Sequence, residues 1–463
     1  MTMDTTNAQG LYPDQVLVAE QFEAWLNGKP ELSAGLWASA GFGKSYSAKF
    51  LIDEVIIKQS NYDPVITSMT HSAVEVLEGF IGRPVTTLHA LMGWVPQINK
   101  ETGEEYVSTP NMRDKSAKPK LHSGMVVIVD EAGLMGHEEC RLLEQEASEA
   151  NARILYIGDH KQCFPVIKEG EEMCIPAYRS TGTYLKLTIP KRVNTGDAIY
   201  ALSMAYRKTV DGFRQPKLRT VLSPGSRKGV TVSDDIEENA IEAFKSAIQD
   251  GTSKQVKVLA FTNKRCLNLN RKIRKKVLGL STSTPLVGEE MVANAGVSNM
   301  LGDNVLLKNN QKVVVKEVEP TETHGLKGAY VLFIDELGQT LPERVFVPES
   351  PQKLTDRLKM IANIAKEYAS TATATKDQGE AEQFRLAAKQ EWRSFFALKE
   401  ACADIRFTYA MTVNKSQGTT LKHVLVDLYD INGCRDKEQA ARLAYTAVTR
   451  ATDNVTIEGE LDG

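Results

Sequence analysis

The segment Ala38-Ser39-Ala40-Gly41-Phe42-Gly43-Lys44-Ser45 limits the folds open to this chain more than any other. It follows a short apolar run at Leu36 and Trp37. It precedes residues 46 to 58, where Phe50, Leu51 and Val55, with Ile56 beside them, recur at helical spacing. Strand, small-residue turn and helix in that order make a phosphate-binding loop. The small residues Ala40, Gly41 and Gly43 let successive backbone N–H groups curl around a β-phosphate. The helix N-terminus adds the positive end of its dipole. Lys44 is then placed to reach the β- and γ-oxygens of ATP, and the Ser45 hydroxyl to ligate Mg²⁺. Ala38 stands where a first glycine is usual, a methyl that negative φ tolerates.

A loop of this kind predicts further parallel strands beside it. Val65 and Ile66 start one, followed by a helical stretch from Ser72 to Phe80. Met125 to Val129 is a continuous apolar run, as a strand buried on both faces requires. It ends in Asp130-Glu131. Asp130 is placed to hold the metal and Glu131 to polarise an attacking water. Ile154 to Ile157 is another such strand, and Gly158-Asp159-His160-Lys161-Gln162 follows it. There Gln162 is placed to touch the γ-phosphate and report its loss. Strands alternating with helices give a doubly wound α/β fold.

The chain has 463 residues, enough for about three domains at ~150 residues each. The α/β pattern restarts with strands at Val256 to Phe261, Phe407 to Met411, Val424 to Leu428 and Val455 to Ile457. A helix follows the strand Val256 to Phe261 through about Leu278, and another runs from about Asp436 to Ala447. Residues 286 to 347 read as a small antiparallel barrel of short β-runs with Gly-containing turns. Residues 352 to 401 read as helical, interrupted by a loop at Ser370 to Gly379. A further insertion spans residues 93 to 122, with a hairpin turn at Glu101-Thr102-Gly103-Glu104 and a polar basic stretch from Arg113 to Lys120. Six cysteines without a CxxC pair fit reduced thiols and no zinc site. Neither a membrane-length apolar run nor a secretory signal is present, which fits a cytoplasmic protein. Lys plus Arg is 56 against 59 Asp plus Glu, so the net charge gives no support for a nucleic-acid partner, and any such claim must come from local features.

The order of motifs resembles that of superfamily 1 helicases, in the 5′-to-3′ branch that includes RecD and the Dda-type helicases. The resemblance runs over most of the chain. It is carried by Gln15 in Leu11-Tyr12-Pro13-Asp14-Gln15, the phosphate loop, Met69-Thr70-His71-Ser72-Ala73 and Thr86-Thr87-Leu88-His89-Ala90-Leu91. It continues with Asp130-Glu131, Gly158 to Gln162 with Pro165-Val166, and Lys191-Arg192. The second half contributes Ala260 to Lys264, Thr412-Val413-Asn414-Lys415-Ser416-Gln417-Gly418 and Tyr445-Thr446-Ala447-Val448-Thr449-Arg450. Asn414 departs from the family, which usually has His there.

The resemblance implies two RecA-like P-loop domains, residues 1–92 with 123–190 and residues 191–285 with 402–463. They would sandwich ATP and Mg²⁺, with Gln15 reading adenine. Residues 93–122 would be an inserted β-hairpin that separates strands, its pin near Ile98 and Tyr106, with Trp94 packing its root. Residues 286–401 would be an SH3-like insertion with a helical extension. Arg192 and Arg450 would act as arginine fingers on the γ-phosphate. Thr70, His71, Thr87, His89, Thr262, Asn263, Thr412, Asn414 and Lys415 would hold single-stranded DNA. The basic run Lys264 to Lys276 reads as a partly solvated face, with Lys264 or Arg265 toward the strand. The implied protein is a monomeric ATP-driven 5′-to-3′ helicase acting at duplex junctions, in the host cytoplasm if from a phage. A single-strand-binding or replication protein would be its partner. A P-loop ATPase that loads or remodels proteins on single strands without unwinding keeps the same motifs.

Overall fold

The computed structural model describes residues 10–28, 30–98, 105–114, 120–168, 170–191, 197–223, 228–280, 283–294, 296–298, 305–307, 311–335 and 338–461. The chain divides into two compact units. One comprises residues 1–95, 109–266 and 411–463; the other comprises residues 96–108 and 267–410.

The first unit holds two six-stranded sheets. One runs in the order Thr86–Thr87, Asp63–Ser68, Met125–Asp130, Arg153–Gly158, Ser33–Trp37, Thr183–Lys186, and its neighbours pair parallel. The phosphate-loop strand Ser33–Trp37 is thus interior and buried throughout. Leu36, Val126, Ile128, Leu155 and Ile157 pack there with Leu51, Ile52, Val55 and Ile56. The helix after the loop starts at Lys44 and passes through a wider π-helical turn at Leu51–Ile56, which turns those four apolar side chains inward together. The other sheet runs Ala410–Thr412, Val256–Ala260, Leu421–Asp427, Ala451–Glu458, Gly229–Ser233, Val221–Leu222. Its central pairs are parallel, and its edge strand Val221–Leu222 is antiparallel to Gly229–Ser233. Val424, Val426, Leu443, Tyr445, Val448, Val455 and Ile457 form its core, and Cys163 from the first sheet's last loop joins them.

The second unit contains a five-stranded antiparallel sheet in the order Val345–Pro348, Leu326–Ile334, Lys312–Thr323, Glu290–Ala293, Ile405–Phe407. Met291, Val313, Val315, Val331 and Phe333 form its core. The strand expected at Phe407 to Met411 is therefore two strands in different sheets, since Phe407 ends one and Ala410–Thr412 belongs to the other. The helices Pro351–Ala374 and Gln378–Ala401 leave only three residues between them. Of the loop expected at Ser370 to Gly379 only residues 375–377 lie outside the helices; inside the first helix the Thr371 and Thr373 hydroxyls donate to the carbonyls of Glu367 and Ala369 four residues back, so these residues are accommodated without leaving it. The strands Val95–Ile98 and Glu105–Ser108 pair as a hairpin, while its expected turn at Glu101 to Glu104 lies outside the described residues. Among the described residues no helix is long and apolar enough to cross a membrane.

Candidate functional site

The loop after Ser33–Trp37 makes two left-handed turns, at Gly41 (φ 81°) and Gly43 (φ 84°), where a β-carbon would be strained. Lys44 opens the helix, and its ammonium donates back to the carbonyls of Ala38 (2.8 Å) and Ser39 (3.1 Å). It is thereby held over the loop. Withdrawal from solvent lowers its pKa, while the carboxylates of Asp159, Glu131 and Asp130 raise it and Arg450 lowers it further. Those charges therefore lie close enough to act on Lys44. Asp130 ends its strand there, and burial first, then the neighbouring Glu131 carboxylate, pushes it up to about 7. Glu131 itself sits at φ 52°, a conformation rare without glycine, which turns the chain sharply out of the strand. A hydroxyl at Ser45 and a carboxylate at Asp130 are hard oxygen donors, the chemistry that suits Mg²⁺.

Gln15 lies beside this loop. Its carbonyl accepts from the Tyr12 N–H (3.1 Å) and its amide donates to the Ser47 hydroxyl (3.0 Å). Asp14 accepts from the backbone N–H groups of Thr188 and Ile189 and from the Lys191 ammonium, which also lies 4.0 Å from the Tyr12 ring centroid. The Lys191 N–H donates to Gly41 (2.8 Å). The start of the first helix and Lys191 thus brace the phosphate loop. Arg192 lies outside the described residues.

From the second sheet, Arg450 is buried at the end of the helix Lys437–Val448. Its guanidinium donates to the carbonyls of Thr446 and Thr419 and to the Thr449 hydroxyl. Among the described residues no carboxylate pairs with it, so its charge is free for a ligand facing Lys44. Gln162 is buried, and its carbonyl accepts from the Gln417 amide at 3.4 Å. The Gln417 carbonyl is buried and has no partner among the described residues. Gln417 was visible only as one letter of a motif, with no assigned role. The groups that hold Asp159, namely Arg207 and Tyr445, carried no functional signal in sequence either, although Tyr445 lay within a motif.

The strand-facing candidates do other local work. The Thr70 hydroxyl accepts from the Ala73 N–H and caps the helix His71–Ile81; the Thr87 hydroxyl accepts from Ala90 and caps Leu88–Met92. Thr262 donates to Asp430 (2.9 Å) and accepts from the Arg265 N–H. His89 pairs with Glu139 at 2.9 Å, edge-on to Trp94. Trp94 is buried and donates to Glu146 (3.4 Å), so it packs the hairpin root. Asn263 is exposed, His71, Asn414 and Lys415 are half-buried, and Thr412 is buried. A methyl built on Gly418 would lie 3.5 Å from the Ala73 methyl and 3.7 Å from the Thr70 hydroxyl, so the Asn414–Gly418 turn abuts the start of the Thr70-capped helix. Of Lys264 and Arg265, one of which was expected toward the strand, Arg265 is paired with Asp427 and Glu237, each at 2.7 Å. In the hairpin, the Tyr106 hydroxyl donates to Gln97 (2.9 Å). Ile98 closes the first hairpin strand, and its side chain lies outside the described ones.

Comparison with known proteins gives two family matches, an AAA domain over residues 16–207 and a UvrD-like helicase C-terminal domain over residues 407–457. The chain is 24% identical over 434 residues to the ATP-dependent DNA helicase dda of Enterobacteria phage T4, covering 90% of this chain and 92% of that protein. It is 22% identical to the uncharacterized protein R530 of Acanthamoeba polyphaga mimivirus, covering 95% and 98%. Among solved structures it resembles the Pif1 helicase from Candida albicans (18% identity, TM-score 0.42, covering 97% and 94%). It also resembles a Bacteroides Pif1 in complex with ADP-AlF3 and ssDNA (12% identity, TM-score 0.40, covering 95% and 91%).

Proposed function

We propose that this chain, a Dda-like superfamily 1 ATP-dependent DNA helicase, tracks 5′-to-3′ on single-stranded DNA as a monomer and separates duplex at the junction it meets. The observation that carries the chemistry is that Lys44 opens the helix after the phosphate loop while Asp130 and Glu131 end a strand of the same sheet, close enough for their charges and that of Arg450 from the other sheet to act on Lys44. In this reading the phosphate loop and Lys44 hold the β- and γ-phosphates, and Gln15 orients the adenine. Ser45 and Asp130 hold Mg²⁺, which when bound neutralises the β- and γ-oxygens. Glu131 orients the attacking water, Gln162 senses the γ-phosphate, and Arg450, with Arg192 beside it, meets charge developing on the transferred group. A finger on one sheet and a phosphate loop on the other make ATP favour closure and hydrolysis favour opening. The Asn414–Gly418 turn and the Thr70 helix cap lie on either side of the same division. Closure therefore changes the spacing of two strand grips.

The polarity rests on family resemblance. Strand displacement with ATP on duplexes carrying only a 5′ or only a 3′ tail tests it; displacement from the 3′-tailed substrate alone overturns the polarity and leaves the ATPase site standing. The hairpin Val95–Ile98 and Glu105–Ser108 is the proposed separating element, and residues 286–401 the proposed SH3-like insertion with its helical extension. Replacing residues 98 to 106 with a Gly-Ser turn is expected to leave DNA-stimulated ATPase intact and to reduce unwinding sharply. A shortened protein that folds and unwinds at the parental rate removes the hairpin from this role.

A further inference from the structure

Every residue from Asp159 to Phe164 belongs to the first sheet by sequence and is gripped by elements of the second. Asp159 is 2% exposed and uses both carboxylate oxygens: one accepts from Arg207 (2.6 Å), the other from the Tyr445 hydroxyl (2.5 Å). Arg207 also donates to that hydroxyl (3.0 Å). The His160 and Gln162 carbonyls accept from one nitrogen of Arg442 (2.7 and 2.9 Å), whose guanidinium covers the Phe164 ring at 4.1 Å. Lys161 pairs with Asp211, and the Cys163 N–H donates to the Thr446 hydroxyl (3.1 Å). The Phe164 N–H donates to Gln439 (3.3 Å).

The charges alternate in a complementary way. Asp159 and Lys161, two apart on the loop, meet Arg207 and Asp211, four apart on and just past the helix Ala198–Val210. That helix face therefore reads the loop by sign and spacing. A buried carboxylate stripped of its cation is strongly unfavourable. The loop therefore keeps its shape only while this helix and Lys437–Val448 stay seated on it. Asp159 also faces Lys44, so the seat lies beside the phosphate space.

We propose that Arg207 and Tyr445 are positioning residues for ATP hydrolysis: by clasping Asp159 they seat the second sheet on the Asp159–Phe164 loop and so fix Gln162 and Arg450 against the γ-phosphate. The proposal rests on the ATPase reading above. A parental protein without strand-stimulated ATPase would refute that reading before any variant is compared. Arg207 and Tyr445 lie outside the phosphate loop, so in this reading loss of the clasp should slow the chemical step and spare nucleotide affinity.

The test compares Arg207→Met, Arg207→Lys, Tyr445→Phe, and the single and double changes Lys161→Asp and Asp211→Lys. Each is read as kcat and KM for ATP with saturating single-stranded oligonucleotide, affinity for a fluorescent ATP analogue, and unfolding temperature. Arg207→Met is expected to lower kcat at least ~30-fold with KM and analogue affinity within about threefold, an interaction felt mainly in the transition state. Arg207→Lys should recover part of that loss and Tyr445→Phe should lower kcat several-fold. The two single charge reversals should lower kcat and the double reversal restore it. A kcat within twofold of the parent for both Arg207→Met and Tyr445→Phe overturns the proposal. So does an equal loss of kcat and nucleotide affinity, or a fall in unfolding temperature with kcat per folded molecule unchanged. If Arg207→Met does not fold, Tyr445→Phe and the charge reversal decide in the same way.

Discussion

The residues proposed to face the nucleotide and those proposed to face the strand are built on opposite terms. Around Lys44 the polar groups are withdrawn from water and face one another: Asp159 and Arg450 are buried, and Asp130 is pushed up to about 7. Such groups are unfavourable to bury unless something pairs with them, and Arg450 has no carboxylate partner among the described residues. Around Thr70, Thr87 and Thr262 the groups are short, buried or half-buried, and already occupied as helix caps or in local hydrogen bonds. In the first set the Arg450 charge lacks a carboxylate partner among the described residues, a place that a bound polyanion would fill. The second set is stable without any ligand, so geometry alone names it less firmly. The contrast predicts that changes in the first set abolish chemistry, whereas changes in the second shift affinity.

The largest effect should come from Lys44→Ala. It removes the ammonium that now bridges the Ala38 and Ser39 carbonyls and that a phosphate would claim. ATP hydrolysis should fall to background while single-strand binding persists, measured by phosphate release and by oligonucleotide anisotropy. Normal turnover would remove the phosphate-loop assignment; lost strand binding would show that the two sets are not separable. Next is Arg450→Ala. It should retain nucleotide binding and lose DNA-stimulated hydrolysis by at least ~10³-fold, the low end for a missing arginine finger. A smaller loss, with nucleotide affinity kept, would give the finger role to Arg192.

What sequence made legible follows the same division. The phosphate loop could be read because left-handed turns at Gly41 and Gly43 leave few residue choices, and because a doubly buried strand at Met125 to Val129 must be uniformly apolar. Asp130-Glu131 and Gln162 could be placed by their position just after such strands. Arg207 could not: an arginine on an amphipathic helix looks the same whether its partner is water or a buried Asp159. The two ends of Phe407 to Met411 looked like one strand because period-two burial does not say which sheet receives each residue. Ser370 to Ala374 looked like a loop because Ser and Thr favour turns, and only the helix itself supplies the carbonyls to which their hydroxyls donate instead. Arg265 sat in a run of cations whose acidic partners, Asp427 and Glu237, are far away in sequence.

The smallest expected effect is the sharpest test of the strand side. Thr87 caps the helix Leu88–Met92, its hydroxyl accepting from the Ala90 N–H at 3.2 Å. If it also donates to a strand phosphate, Thr87→Ala loses both functions. Stability should fall by ~1 kcal/mol for the missing cap, and oligonucleotide affinity by roughly tenfold for a hydrogen bond to a charged group. That variant alone does not separate capping from binding, since a frayed helix would also displace its neighbours. Thr87→Asp does. Aspartate caps as well as threonine, so stability by urea denaturation should stay at the parental value. Its carboxylate would then stand where a phosphate oxygen has to approach, and strand affinity should fall at least as far as in Thr87→Ala, with Thr87→Ser close to the parent in both measurements. An aspartate variant that is as stable as the parent and binds the oligonucleotide equally well would make Thr87 a cap and nothing more. The strand grip of the first sheet would then rest on Thr70 and His71, beside the Gly418 turn.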